Sequence, residues 1–127
     1  MLQKLSHIKA FVFDVDGVLT DGLVHVTESG EQLRRFSIKD GYALQLAVKR
    51  GFPIAIISGG RSQSVVSRLQ GLGIKDIYIG VETKMDAFEE FLLIHELQAD
   101  QVLYMGDDIP DYPVMQKVGL PVCPADA

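Results

Sequence analysis

The chain has 127 residues, enough for one compact domain, and its 47% hydrophobic and 23% charged residues are ordinary for a globular protein with a proper core. Its net charge of −5 offers no basic surface for nucleic acid or an anionic membrane, and its single cysteine excludes an internal disulfide. The N-terminus MLQKLSHIKA lacks the long apolar core of a signal peptide, and no apolar run approaches the roughly 20 residues that cross a bilayer. We therefore expect a cytoplasmic protein that binds neither nucleic acid nor membranes.

The hydrophobic pattern predicts strands that alternate with helices along the whole chain. The predicted strands are 8–15, 53–57, 77–80, 101–105 and 120–123. The predicted helices are 40–50, 62–72, 84–97 and 110–118, and a β-hairpin over about 22–38 follows the first strand. Such alternation is typical of an α/β domain, here a Rossmann-like three-layer sandwich with a mostly parallel five-stranded sheet. We predict one domain over residues 1–127.

For two of the predicted helices, the sequence also predicts the ends or the apolar face. Asp40 is a suitable N-cap for the first helix, which Gly51 would end. The helix over 84–97 carries Met85, Phe88, Leu92 and His95 at three- and four-residue spacing, which we expect to be its apolar face.

The first strand ends in two aspartates, Asp14 and Asp16, followed by Gly17. Residues two apart in a strand point the same way, so both carboxylates can face one small site. Two carboxylates this close repel each other, which raises one pKa or requires a cation, and oxygen ligands suit Mg²⁺. For this short motif alone, a strand end with two solvated acids stays an open alternative.

Other polar residues also follow predicted strands. Ser58 follows the second strand, Asp107 and Asp108 follow the fourth, and Lys84 opens the helix after the third. The carboxyl ends of parallel strands meet at one edge of the sheet, where ligands bind. Taken singly, these residues could be a turn, a helix cap and a solvated lysine. Their coincidence at one edge favours a functional site.

The residues at this edge could carry out phosphoryl transfer. Asp14, Asp16 and Asp107 can hold one Mg²⁺, and the Ser58-Gly59-Gly60 loop with Lys84 can hold a phosphate. An ionised aspartate can attack phosphorus and form an aspartyl-phosphate. A second, protonated aspartate can donate to the leaving oxygen and then take a proton from the attacking water.

The ordered motifs resemble those of the haloacid dehalogenase superfamily of phosphohydrolases. They are Asp14-Val15-Asp16, Ser58, Lys84 and Gly106-Asp107-Asp108-Ile109-Pro110-Asp111, and they cover nearly the whole chain. Because only the hairpin separates the first strand from the first helix, the chain resembles a branch of that superfamily with no cap domain. This branch contains an enzyme that removes phosphate from an eight-carbon sugar-acid phosphate on the route to lipopolysaccharide, so the resemblance implies that activity here.

The resemblance implies a role for each residue that matches a motif. Asp14 would be the nucleophile and Asp16 the general acid/base. Mg²⁺ would be bound by Asp14, the Asp16 carbonyl and Asp107. The phosphate would be held by Ser58, Gly59 and Lys84. Asp108 and Asp111 would orient these residues without binding the metal or the phosphate themselves. The resemblance also implies a homotetramer in which a neighbouring subunit completes the site, and a further helix and tail after the fifth strand.

Three alternatives remain at this point. Related enzymes act on nine-carbon sialic-type acid phosphates; Gly60 favours the eight-carbon acid, whose carboxylate could meet Arg61 or Arg68. A receiver-type signalling domain would need an acceptor aspartate after the third strand, where residues 78–81 include no acid. A non-catalytic oligomerisation module would have no physical need for buried like charges.

Overall fold

The described residues of the computed structural model are 7–15, 25–26, 32–33, 38–61, 63–106 and 111–122. The strands are β1 (Ala10–Phe13), β2 (His25–Val26), β3 (Gln32–Leu33), β4 (Ile54–Ile57), β5 (Asp76–Tyr78), β6 (Val102–Met105) and β7 (Leu120–Val122). The helices are α1 (Ile38–Lys49), α2 (Gln63–Gly71), α3 (Lys84–His95) and α4 (Tyr112–Met115), with a 3₁₀ turn at Ala99–Gln101.

A five-stranded sheet in the order β5-β4-β1-β6-β7 forms the middle of the fold. Every neighbouring pair in it is parallel. Phe13 at the end of β1 pairs with Ile56 of β4 on one side and with Met105 of β6 on the other. The residues that follow these three strands therefore lie side by side at the centre of one sheet edge. The predicted α/β class is confirmed.

Two apolar clusters cover the two faces of this sheet. Alternate residues of β4 point to opposite faces, as the period of a strand requires, so Ala55 and Ile57 join one cluster while Ile54 and Ile56 join the other. The first cluster includes the buried apolar residues of α3 and α4, and the second includes those of α1 and α2. The result is the predicted three-layer arrangement, with helices on both faces.

The segment between β1 and α1 contains a small antiparallel pair. His25 of β2 pairs with Leu33 of β3, and Val26 pairs with Gln32. Both strands lie within the predicted hairpin at about 22–38. The rest of that hairpin, and the predicted site residues Asp16, Asp107 and Asp108, lie outside the described residues.

Several predicted boundaries were wrong. Helix α1 begins at Ile38, so Asp40 lies inside it and is not its N-cap. Strand β5 ends at Tyr78 and does not reach Gly80, because Gly80 has a φ of +63°, far from an extended backbone.

The two later helices are both shorter than predicted. Helix α3 ends at His95, where Glu96 takes a left-handed φ of 54°. Helix α4 covers only Tyr112–Met115 of the predicted 110–118, and its continuation forms turns in which the Lys117 and Val118 N–H groups donate to the Val114 carbonyl. Within the described part of the chain, no helix is long and apolar enough to cross a membrane.

Candidate active site

Asp14 lies immediately after the central strand and is held in place by the backbone around it. Its N–H group donates to the Met105 carbonyl at 3.0 Å, which extends the pairing of β1 with β6 by one residue. The Val15 N–H group donates to Oδ1 of Asp14 at 2.8 Å. The residue is only 7% exposed, so its carboxylate is a buried charge that needs partners.

Lys84 supplies the positive charge beside Asp14. Its Nζ lies 3.2 Å from Oδ1 of Asp14 and 2.7 Å from Oδ1 of Asp111. Lys84 is buried and is also the first residue of α3, where the helix dipole disfavours a cation. A solvated lysine would avoid both costs. The two carboxylates offset them, and the arrangement places a fixed ammonium group at the carboxyl edge of the sheet.

Burial controls the protonation of Asp14. Desolvation raises the pKa of its carboxyl above the ordinary value, and the nearby Asp111 charge acts in the same direction. The Lys84 charge and the Val15 N–H group lower the same pKa but do not outweigh burial. A further cation near this carboxylate would favour the ionised, nucleophilic form.

The loop after β4 is tied to the loop between β5 and α3. The Ser58 N–H group donates to the Tyr78 carbonyl at 2.9 Å, and the Val81 N–H group donates to the Ser58 carbonyl at 3.2 Å. Within the loop, the Gly60 N–H group donates to Oγ of Ser58 at 3.1 Å. Ser58 is buried and Gly59 is exposed. The loop therefore has a fixed backbone at the sheet edge that carries Asp14.

Asp111, which directly precedes α4, is fully buried, and hydrogen bonds from two side chains hold its carboxylate. Its Oδ1 accepts hydrogen bonds from Nζ of Lys84 at 2.7 Å and from the Tyr104 hydroxyl at 2.6 Å. Gly106 leaves room for this carboxylate, since a Cβ there would lie 2.5 Å from Oδ2 of Asp111. Asp111 was predicted from the motif as a supporting residue, whereas Tyr104 was not predicted. The only signal for it was a hydroxyl within the otherwise apolar strand VLYM.

The two candidate substrate arginines lie at different distances from the loop. Arg61 is exposed and follows the Ser58-Gly59-Gly60 loop directly, with its side chain against Gly80. Arg68 is exposed in the last turn of α2, on the order of 8 Å along the helix from its first residue. The structure thus places Arg61 next to the loop and Arg68 further along α2.

The described residues include one of the three predicted Mg²⁺ ligands, Asp14. Within those residues, no group of three His, Cys, Asp or Glu side chains could hold a metal ion. Asp16 and Asp107 follow β1 and β6, which are neighbours, but lie outside the described ranges. Desolvation disfavours the ionised form of the buried Asp14 carboxylate, and a bound cation would compensate that charge. A hard cation such as Mg²⁺, which prefers oxygen ligands, fits this site.

The arrangement does not match the receiver-type alternative. Such a domain needs an acceptor aspartate after β5, where this chain has Ile79, Gly80 and Val81. The candidate nucleophile, the buried Asp14, instead follows β1.

Comparison with solved structures identifies the class. The chain is similar to a hydrolase from Legionella pneumophila assigned to the HAD superfamily, subfamily III A, with a TM-score of 0.92, 39% identity, and coverage of 96% of this chain and 67% of that one. A 3-deoxy-D-manno-octulosonate 8-phosphate phosphatase from Moraxella catarrhalis, in complex with magnesium, phosphate and KDO, gives a TM-score of 0.90, 34% identity, and coverage of 95% and 70%. The fold is therefore that of the haloacid dehalogenase superfamily.

The curated relatives narrow the class to one family. The chain is 39% identical, over all of its length and 68% of the relative's, to the 3-deoxy-D-manno-octulosonate 8-phosphate phosphatase KdsC of Yersinia pestis. The chain belongs to this family of phosphoric monoester hydrolases, which confirms the resemblance inferred from the motifs. It spans about two thirds of the length of the relatives that it matches. A scan against models of protein families found no match.

Proposed function

We propose that this chain is a Mg²⁺-dependent phosphatase that hydrolyses 3-deoxy-D-manno-octulosonate 8-phosphate through an aspartyl-phosphate on Asp14. The observation that carries the proposal is the buried Asp14 carboxylate, 3.2 Å from the Lys84 ammonium at the carboxyl edge of the sheet. Burial of an acid and a lysine carries a desolvation cost that their attraction offsets only in part, so such a pair indicates a functional role. Phosphoryl transfer gives both of them a task.

In the first half of the reaction, a carboxylate oxygen of Asp14 attacks phosphorus and the bond to the sugar oxygen breaks. Asp16 in its protonated form gives its proton to that leaving oxygen, so the sugar acid leaves as an alcohol. In the second half, water attacks the aspartyl-phosphate, Asp16 takes the water proton, and Asp14 is restored with release of inorganic phosphate. The role of Asp16 comes from its position in the motif.

The charge on the phosphate requires several positive or hydrogen-bonding groups. Lys84 would supply an ammonium group, and Ser58 and Gly59 would supply a hydroxyl and a backbone N–H group. The fixed backbone of the Ser58 loop supports this role, because positioning dominates catalysis of phosphoryl transfer.

Mg²⁺ would be held by Asp14, the Asp16 carbonyl and Asp107, with Asp108 behind them. When bound, it neutralises negative charge on the phosphate and favours the ionised form of Asp14. The magnesium in the related structure from Moraxella catarrhalis supports this assignment.

Selectivity for the sugar acid would come from residues around the phosphate loop. Arg61, exposed next to the loop, is our first candidate to meet the substrate carboxylate, and Arg68 is the second. A neighbouring subunit of a cytoplasmic homotetramer would close the site. The activity named for the Yersinia pestis relative and the KDO in the Moraxella catarrhalis complex support an eight-carbon substrate. That substrate would give the chain a role in lipopolysaccharide precursor synthesis.

The test is phosphate release from 3-deoxy-D-manno-octulosonate 8-phosphate, measured with Mg²⁺ and with EDTA, alongside the nine-carbon sialic-type acid phosphate. We expect Mg²⁺-dependent release that favours the eight-carbon acid. A preference for the nine-carbon acid would be consistent with the proposed mechanism but would show that the proposed substrate is wrong. No release from either ester by a folded protein would contradict the proposed function.

A further inference from the structure

The hydroxyl of Tyr104 is a polar group on a residue that belongs to the apolar core. Tyr104 is fully buried in β6, and its ring meets Phe88 of α3 edge to face at 6.4 Å between ring centroids. A buried tyrosine hydroxyl normally needs a hydrogen-bond partner, whereas phenylalanine would fill the same apolar space without one. The hydroxyl therefore costs desolvation that packing alone does not require.

The partner of that hydroxyl is the carboxylate that holds Lys84. The hydroxyl donates to Oδ1 of Asp111 at 2.6 Å, and the same oxygen accepts from Nζ of Lys84 at 2.7 Å. Nζ of Lys84 also lies 3.2 Å from Oδ1 of Asp14. A continuous chain of contacts thus runs from the core of β6 to the candidate nucleophile.

The surrounding backbone leaves space for this chain of contacts. A Cβ on Gly106 would lie 2.9 Å from Cε1 of Tyr104 as well as 2.5 Å from Oδ2 of Asp111. Burial and the hydrogen bond to Asp111 also raise the pKa of Tyr104, so its hydroxyl keeps its proton and remains a donor at neutral pH. The direction of the Tyr104–Asp111 hydrogen bond is therefore fixed.

We propose that Tyr104 is a positioning residue, which orients Asp111 through its hydroxyl and so fixes the Lys84 ammonium beside Asp14. The inference rests on the proposed function, because Lys84 is taken to stabilise the transferring phosphate. A hydrogen bond to a charged group inside a protein is stronger and more directional than a neutral one. Without the hydroxyl, the Asp111 carboxylate loses one of its constraints, and Lys84 can leave the position that it needs in the transition state.

The test uses Tyr104→Phe, which removes one oxygen and keeps the ring. Two control variants accompany it. Tyr112→Phe makes the same chemical change at an exposed residue next to Asp111. Val102→Ala truncates a fully buried side chain in β6, the strand of Tyr104, and leaves Lys84, Asp111 and Asp14 unchanged. Val102→Ala reports what a loss of packing alone does to activity.

The first readout is the position of Lys84, which requires no activity. In a spectrum of protein with ¹³C-labelled lysines, the Lys84 signal is identified by its loss in Lys84→Met. We expect Tyr104→Phe to shift this signal and both controls to leave it in place. An unshifted signal in Tyr104→Phe would overturn the inference, whatever the wild-type protein hydrolyses.

The second readout is turnover per folded molecule. We expect Tyr104→Phe to lower kcat about tenfold with KM changed less than about twofold, since the contact matters most in the transition state. In a Lys84→Met background the same substitution should have no further effect. A loss of equal size with and without Lys84, or a kcat within twofold of wild type, would overturn the inference. No turnover by the wild type would instead contradict the proposed function.

Discussion

At the scale of single residues, the site concentrates charge where solvent is excluded. Asp14 and Asp111 share one ammonium group, that of Lys84, and all three residues are buried. Because the set holds two carboxylates and one ammonium group, loss of Lys84 leaves buried negative charge without a counter-charge, whereas loss of the Asp14 charge leaves a balanced pair. Each substitution therefore affects both function and stability. The residue-scale predictions separate these two effects.

Asp14→Asn should raise stability while abolishing turnover. Because burial raises the folded-state pKa of Asp14 above its unfolded value of 3.8, ionisation costs the folded state free energy as pH rises through that folded pKa. Asparagine removes this cost. Urea unfolding in metal-free buffer should therefore show the variant to be more stable than wild type at pH 7, with the difference shrinking as pH falls toward 4.

Mg²⁺ provides the control for this experiment. It should raise the free energy of unfolding of wild type more than that of Asp14→Asn, because binding to the folded state stabilises it and the variant lacks one ligand. A stability difference that is constant across pH would contradict ionisation of Asp14 as its cause.

Lys84→Met should lower kcat about 10²-fold or more, the size expected when one preorganised positive group is lost from a transition state. Methionine keeps the apolar stem of the side chain. Lys49→Met makes the same change at an exposed lysine of α1 and serves as the control in steady-state phosphate-release assays. Equal kcat values for the two variants would show that Lys84 has no role in the reaction.

At the scale of elements, the loop after β4 depends on the loop that follows β5. Gly80 has a φ of +63°, its N–H group donates to the Gly60 carbonyl at 2.6 Å, and a Cβ on it would lie 3.0 Å from Cγ of Arg61. An L-residue is disfavoured at this φ, and its side chain would also displace Arg61. Gly80 therefore fixes the backbone of the candidate phosphate loop and the place of the candidate substrate arginine.

Gly80→Ala should destabilise the protein by about 1–2 kcal/mol in urea unfolding and raise KM for the sugar-acid phosphate. Gly71→Ala is the matched control: it lies at the end of α2, and a Cβ there meets nothing within 4 Å. If both variants unfold at the same urea concentration, the left-handed conformation of Gly80 is not a constraint on the fold.

The sequence predicted elements better than contacts. Alternating strands and helices and the polar residues at strand ends were enough for the fold class and for bringing Asp14, Ser58 and Lys84 to one edge. The apolar face predicted for α3 was incomplete: Phe88 is buried and Met85 and Leu92 pack against the same core, but the structure also buries Ala87 and Phe91. Spacing gives the period of a helix, but its rotation depends on the sheet against which it packs.

Tyr104 shows a second limit of the sequence. Its hydroxyl lies in an apolar strand, and its partner Asp111 comes from a different element of the chain. No local pattern reveals such a contact, because both groups are placed by tertiary packing. Asp40 shows a similar limit: its residue type suits an N-cap, but α1 already begins at Ile38.

At the scale of the whole molecule, the described surface includes large apolar side chains. Leu93 is 80% exposed and Ile94 is 57% exposed on neighbouring positions of α3, and Tyr112 of α4 is 56% exposed. Exposed apolar side chains such as those of the adjacent residues Leu93 and Ile94 can contact another protein surface. They are compatible with the homotetramer that we expect, whose subunits would complete one another's sites.

Dilution should therefore lower turnover per subunit. If a neighbouring subunit contributes to the site, kcat/KM measured across a range of protein concentrations should fall where analytical ultracentrifugation shows the tetramer dissociating. The Mg²⁺ concentration is held constant throughout as the control. A specific activity that is the same for monomer and tetramer would contradict a shared site.

The most direct measurement of the central claim is detection of the phosphorylated residue. The wild-type protein is mixed with 3-deoxy-D-manno-octulosonate 8-phosphate and Mg²⁺, quenched in acid during turnover, digested and analysed by mass spectrometry. We predict phosphate on the peptide that contains Asp14, and none when EDTA replaces Mg²⁺ or when Asp14→Asn replaces the wild type. Release of phosphate by both proteins at similar rates, with no phosphorylated Asp14 peptide, would contradict the account.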